Sequence, residues 1–102
     1  MYIRSVYNNG MFEWDEGKRE SNLEKHGLDF LDARLLFDGR PTVSIPARSE
    51  AEARVLTVGW LESGKLYTVI WTQRDKARRI ISFRRARHAE ERAYHALCSG
   101  GA

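Results

Sequence analysis

Between Arg74 and Arg87 seven basic side chains, Arg74, Lys76, Arg78, Arg79, Arg84, Arg85 and Arg87, face a single acid, Asp75. Within that stretch the arginines bracket an apolar run, written RRIISFRRAR from Arg78 to Arg87. A guanidinium is a permanently charged planar fork, suited to phosphate oxygens and to the charge a phosphoryl transition state develops. On a strand, the adjacent Arg84 and Arg85 should project to opposite faces at a sheet rim. The same charge would also serve ion pairs with the acids of the first half, or an acidic partner. Lys25-His26-Gly27 forms a second group: its imidazole could trade protons near neutral pH, or the three residues could simply cap a helix. Trp71 aligns with Tyr67 and Val69, which points first to core packing, although an aromatic beside arginines could also stack an unpaired base. Glu13 and Asp15 read as surface or salt-bridge acids, with Glu13 also a candidate proton carrier.

Other chemistries find little support. His88 and His95 lie seven apart with no third ligand beside them, so no metal is expected, and no organic cofactor is implied. Glycine-rich phosphate loops, a Ser/His/Asp order and CxxC pairs are absent. The single Cys98 cannot form an internal disulfide, which fits a reducing compartment. No apolar run approaches the roughly 18 residues of a membrane span, so the cytoplasm is the expected setting.

These side chains must be positioned by one domain, since 102 residues suffice for a single core. Apolar residues make up 42% and charged residues 30%, as in a folded soluble protein. The net charge of +3 is unevenly spread: residues 1 to 51 carry −2 and residues 52 to 102 carry +5. Such an asymmetry points to a polyanionic partner, RNA or DNA ahead of a membrane.

Residues 1–11 read as an N-terminal extension or edge strand, 12–97 as the domain and 98–102 as a flexible tail. Phe12 to Asp15 alternates like a short strand, and Glu16 to His26 reads as a helix ended by Gly27, with Leu23 supplying most of its inward face. Asp29 should cap a second helix over Phe30 to Phe37. Strands are expected at Thr42 to Ile45, broken by Pro46, then at Arg54 to Trp60, Leu66 to Thr72 and Ala77 to Arg84, the last three as an antiparallel meander. In the final strand Ile81 and Phe83 should point one way and Ile80 and Ser82 the other. A closing helix from His88 to about Leu97 should turn Ala89, Ala93 and Leu97 inward. The expected class is α+β: two N-terminal helices, a small antiparallel sheet of about four strands, and a C-terminal helix.

Phe12-Glu13-Trp14-Asp15, Lys18, Asn22, Lys25-His26-Gly27, Phe30, Ala33, Arg54, Gly59, Gly64, Val69, Trp71-Thr72, Arg79-Ile80-Ile81-Ser82, Arg84-Arg85-Ala86, Glu91-Arg92 and Tyr94 together resemble the BrnT family of bacterial toxins. The resemblance runs from residue 12 to about 97. It implies a ribonuclease toxin of a type II toxin-antitoxin pair with a RelE-like fold. It also implies a BrnA-like ribbon-helix-helix antitoxin that binds operator DNA, in a heterotetramer of two toxins and two antitoxins. The chemistry expected of such a toxin is metal-independent endonucleolytic cleavage of RNA by its own 2′-hydroxyl, thereby inhibiting translation. Arg84, Arg85 and Arg79 would then stabilise the pentacovalent charge while His26, Lys25 or Glu13 move protons. Arg54 and Arg74 would track the backbone and Trp71 would stack a base. The alternative is a non-catalytic basic module that binds an antitoxin or nucleic acid without cutting it.

Overall fold

The structure, a computed structural model, describes residues 3–7, 10–47 and 52–99. Among them six strands form one sheet: β1 (Ile3–Tyr7), β2 (Met11–Asp15), β3 (Thr42–Ala47), β4 (Arg54–Trp60), β5 (Leu66–Arg74) and β6 (Ala77–Arg85), in spatial order β1-β2-β6-β5-β4-β3. Helix α1 (Glu16–His26) and the short α2 (Phe30–Ala33), which tightens into a 3-10 turn over Arg34–Phe37, precede β3. Helix α3 (His88–Tyr94) follows β6 and runs into a π turn over His95–Ser99. The α+β class is observed, but the described sheet has six strands rather than about four. It is also mixed: β2 lies parallel to β6, with Glu13 opposite Arg79. A parallel pair closed by most of the domain has no short turn in the sequence to announce it. Of the tail read at 98–102, Cys98 and Ser99 belong to the π turn and the rest lies outside the described residues, as do residues 48–51.

The β4-β5-β6 meander is antiparallel, as its turns foretell, but strict alternation fails at one place. Ile70 opposes Ser82 while Trp71 opposes Ile80, which leaves Ile81 as an extra residue on β6. This bulge turns Ile80 to the side of Phe83, and both are buried with Phe12, Trp14, Phe30, Ala33, Leu36 and Val69 in the principal core. The expected split of Ile81 and Phe83 from Ile80 and Ser82 is therefore corrected; a period of two cannot register an inserted residue.

Helix α1 begins where the Asp15 carboxylate accepts the Gly17 N–H at 2.9 Å, and ends at Gly27, whose left-handed φ of 69° lets its N–H return to the Leu23 carbonyl. Its buried residue is Asn22, whereas Leu23 is 45% exposed, which reverses the expected inward face. The cause is where α1 lies. The pairing of β2 with β6 stops at Arg79, and α1 takes up the vacated edge. There the Asn22 amide does what a neighbouring strand would do: Nδ2 donates to the Phe83 carbonyl at 2.8 Å and to the Leu28 carbonyl at 3.1 Å, and Oδ1 accepts the Phe83 N–H at 3.1 Å.

Asp29 caps α2 through the Leu31 N–H and holds Arg19 of α1 in a two-point ion pair at 2.8 and 2.9 Å. Phe30, Ala33 and Leu36 then seal one sheet face. Leu36 passes so close to Gly59 that a Cβ there would sit 3.0 Å from Leu36 Cδ2 and 2.9 Å from Thr42 Cγ2. On the opposite face α3 buries Tyr94 against Val43, Val58 and Leu66. Leu97 is 72% exposed and Ala89 is also exposed, so the inward stripe expected of Ala89 and Leu97 does not form; Tyr94 carries the contact. Pro46 does not break β3. This strand is the sheet's outer one, where a missing N–H leaves no described neighbour unpaired.

Candidate active site

Where α1 replaces β2 along β6, a groove of about 260 Å³ opens, lined by Lys18, Ser21, Asn22, Lys25, His26, Ile81 and Ser82. Each element contributes for a local reason. Lys18 and Lys25 are two helical turns apart and share a side of α1, with Asn22 between them. Lys25 and His26 occupy the last turn, where the carbonyl end of the helix favours positive charge. The bulge brings Ile81 and Ser82 together to the groove, and Asn22 pins the strand behind them. Lys18, Lys25 and His26 form no ion pair among the described residues. The lining therefore holds two lysines and an imidazole with no carboxylate.

Four other predicted site residues gather on the sheet face that carries α3. Strand register aligns Glu13, Arg79, Thr72 and Arg54 in a row across β2, β6, β5 and β4. Arg79 is bound to Glu13 through Nε at 2.7 Å and through Nη2. Glu52 bridges Arg54, at 3.6 Å, and Arg74, at 3.3 Å. The row is thus basic but partly neutralised, with Glu13 paired to Arg79.

Arg84 lies on this same face about four residues, or roughly 13 Å, further along the strands. It is nearly buried, and its Nη1 and Nη2 grip the two oxygens of Glu90 in α3 at 2.8 and 2.9 Å. Glu90 also accepts from the Thr68 hydroxyl and from the Arg87 amide, closing the first turn of α3. Burial alone would raise the Glu90 carboxyl, but the hydrogen bonds from Arg84, Arg87 and Thr68 outweigh it and hold the group at about 2, below its ordinary 4.5. Arg84 is the bolt that fastens α3 to the sheet.

Arg85 points to the other face, exposed, with its guanidinium 5.6 Å from the Tyr67 ring centroid. Trp71 is also on that other face, and its indole N–H donates to Thr57 at 2.8 Å. Phe37 meets the Trp71 ring edge-on, and Arg78 covers it at 5.5 Å. The structure thus brings His26 and Lys25 into one groove and Arg54, Arg79 and Glu13 into one row, with Arg74 beside it through Glu52. Arg84, Arg85 and Trp71 neither line the groove nor belong to the row.

Lys18, Ser21 and Ser82 in the groove, and Glu90 as counter-charge of Arg84, escaped the residue-type search. Two signals existed: the seven-residue spacing of Lys18 and Lys25, and a Glu three residues past a helix-capping position. Among the described residues no group of three His, Cys, Asp or Glu could hold a metal ion, and no helix is long and apolar enough to cross a membrane.

The comparison with known proteins agrees with this architecture. Residues 14–90 match the family described as the ribonuclease toxin, BrnT, of type II toxin-antitoxin systems. The crystal structure of the Brucella abortus ribonuclease toxin BrnT is similar to this chain, with a TM-score of 0.55 and 29% identity over 74% of this chain and 94% of that one. No curated protein matches. The matched segment runs from Trp14 to Glu90 and so includes the α1 groove, the whole meander and the Arg84–Glu90 bolt, and the chain belongs to the BrnT family of ribonuclease toxins of type II toxin-antitoxin systems.

Proposed function

We propose that the groove between α1 and β6 is where this toxin cuts RNA internally and without a metal. The ribose 2′-hydroxyl attacks the adjacent phosphorus, leaving a 2′,3′-cyclic phosphate and a 5′-hydroxyl. The observation that carries the reading is the groove itself, with Lys18, Lys25 and His26 and no carboxylate in its lining. His26 takes the 2′-hydroxyl proton as the new oxygen–phosphorus bond forms. Lys18 and Lys25 offset the charge on the non-bridging oxygens, and Lys25 returns a proton to the departing 5′-oxygen. Exposed Arg85 is the arginine of the Arg84-Arg85 pair that can reach a phosphate; Arg84 serves by fixing α3. Arg79, Arg54 and Arg74 give the strand a basic track across the sheet, and Trp71 supports that sheet from behind rather than stacking a base.

A type II toxin implies a protein antitoxin. We propose a BrnA-like ribbon-helix-helix partner, a complex of two toxins and two antitoxins that binds operator DNA, and action in the cytoplasm, where RNA loss inhibits translation. The RelE-like description of the fold belongs to the same proposal. The chemistry is tested by single-turnover cleavage of a labelled single-stranded RNA with His26→Gln and Lys25→Gln. A general base contributes about 10²–10⁴-fold, so His26→Gln should lose activity within that range. A His26→Gln rate within twofold of wild type would remove His26 from the mechanism.

A further inference from the structure

Most arginines whose side chains are partly or wholly buried have an acidic partner. Arg19 has Glu16 and Asp29, Arg40 has Asp38, Arg79 has Glu13, and Arg84 has Glu90. Arg78 has none. Its guanidinium is instead enclosed by three aromatic rings, 4.6 Å from the Phe37 centroid, 5.5 Å from Trp71 and 5.7 Å from Phe12. Its Nε is buried without a hydrogen-bond partner. Gly10 packs beside it so tightly that an added Cβ would lie 3.2 Å from Nη1. The side chain is half-buried overall, so this cation is partly dehydrated, flanked by rings and, among the described residues, without an acidic partner.

A guanidinium faced by rings keeps its in-plane N–H groups for hydrogen bonding, and those groups match two oxygens of one anion. A buried donor with no partner needs an explanation, and an orientation fixed so that the two terminal nitrogens face outward is one that the cage supplies. The neighbouring turn adds Lys76 and Arg74, the latter sharing Glu52 with Arg54, against Asp75 of the turn, and such a run of cations suits a repeating anion more than a lone carboxylate. Register places Arg78 on the face opposite the Arg79–Arg54 row, so a chain contacting both wraps the end of the sheet where β5 turns into β6.

We infer that Arg78 is a phosphate-binding point for single-stranded RNA outside the cleavage groove, with Phe12, Phe37 and Trp71 as the cage that aims it. This rests on the reading of the protein as an RNA-cutting toxin, and it assigns that substrate a second contact. The probe is a short, fully 2′-O-methylated single-stranded RNA, which cannot be cut by its own 2′-oxygen, followed by fluorescence anisotropy across a salt series. Arg78→Gln should weaken binding about tenfold and lower the slope of log affinity against log salt by about 0.7, the value for one phosphate contact on a single strand. Arg78→Lys, which keeps the charge and the fold but loses the fork, should restore the slope and not the affinity. If Arg78→Gln does not fold, Arg78→Lys decides alone, and wild-type affinity for that variant overturns the inference. Unchanged affinity and slope in Arg78→Gln overturn it too, as does a loss confined to a poly-glutamate probe. Binding is read without cleavage, so a failure of the nuclease mechanism would show separately.

Discussion

Replacing Glu90 by Gln should destabilise the protein by about 3 kcal/mol, because it leaves Arg84 nearly buried without its counter-charge. The side chains of Arg84 and Glu90 are only 11% and 12% exposed, so the pair is screened far less than a surface bridge. A second route gives a similar figure. Holding the Glu90 carboxyl at about 2 instead of 4.5 corresponds to about 3 kcal/mol before solvent screening and about 2 kcal/mol after it. The folded value lies below the unfolded one, so this contribution is present in full above about pH 4.5 and is lost as pH falls toward 2. Urea unfolding followed by tryptophan fluorescence should show the Glu90→Gln midpoint lowered by about 1–2 M at neutral pH. The gap to wild type should narrow between pH 5 and pH 2. The double variant Arg84→Met/Glu90→Met should be less damaged than the sum of its single variants, since it removes both charges together. A Glu90→Gln stability within 0.5 kcal/mol of wild type, or additive single variants, would refute the bolt.

Two further perturbations probe the frame around the groove. Asn22→Ala strips the Phe83 N–H and carbonyl of their buried partner, which should cost about 3 kcal/mol in urea unfolding and sharply quicken hydrogen exchange at the Phe83 amide; an unchanged exchange rate would show that α1 does not hold this edge. Gly59→Ala puts a methyl 2.9 Å from Thr42 and 3.0 Å from Leu36, and should lower stability by about 1–3 kcal/mol, whereas a neutral result in thermal unfolding would mean that the 3-10 turn yields without strain.

The sequence shows most where a feature is local. Gly64 and Asp75 mark the turns of the meander, and Gly27 and Asp29 mark helix ends, so those elements are legible, whereas the capping role of Asp15 is not. The pairing of β2 with β6 joins residues some sixty-six apart, Glu13 and Arg79, and nothing near either one signals the other. Leu23 was read as the inward residue because apolarity usually decides the buried face. Here an edge of bare peptide groups lies alongside, and the amide of Asn22 fits it better. The candidate site divides in the same way. Lys25 and His26 could be found from a helix end alone, and residue types pointed to ribonuclease chemistry through the family pattern. That Arg84 is gripped by Glu90, Arg79 by Glu13 and Trp71 covered by Arg78 depends on distances that charge counts do not contain.

The most direct test of the nuclease mechanism is to incubate the purified toxin, free of antitoxin and in EDTA, with an end-labelled single-stranded RNA. A matched RNA carrying one 2′-deoxy residue at the cleaved position runs beside it, and the product ends are analysed. The predicted result is cleavage to a 2′,3′-cyclic phosphate and a 5′-hydroxyl, lost at that position in the 2′-deoxy substrate. Cleavage of the 2′-deoxy bond, or activity that EDTA abolishes and a divalent metal restores, would contradict it.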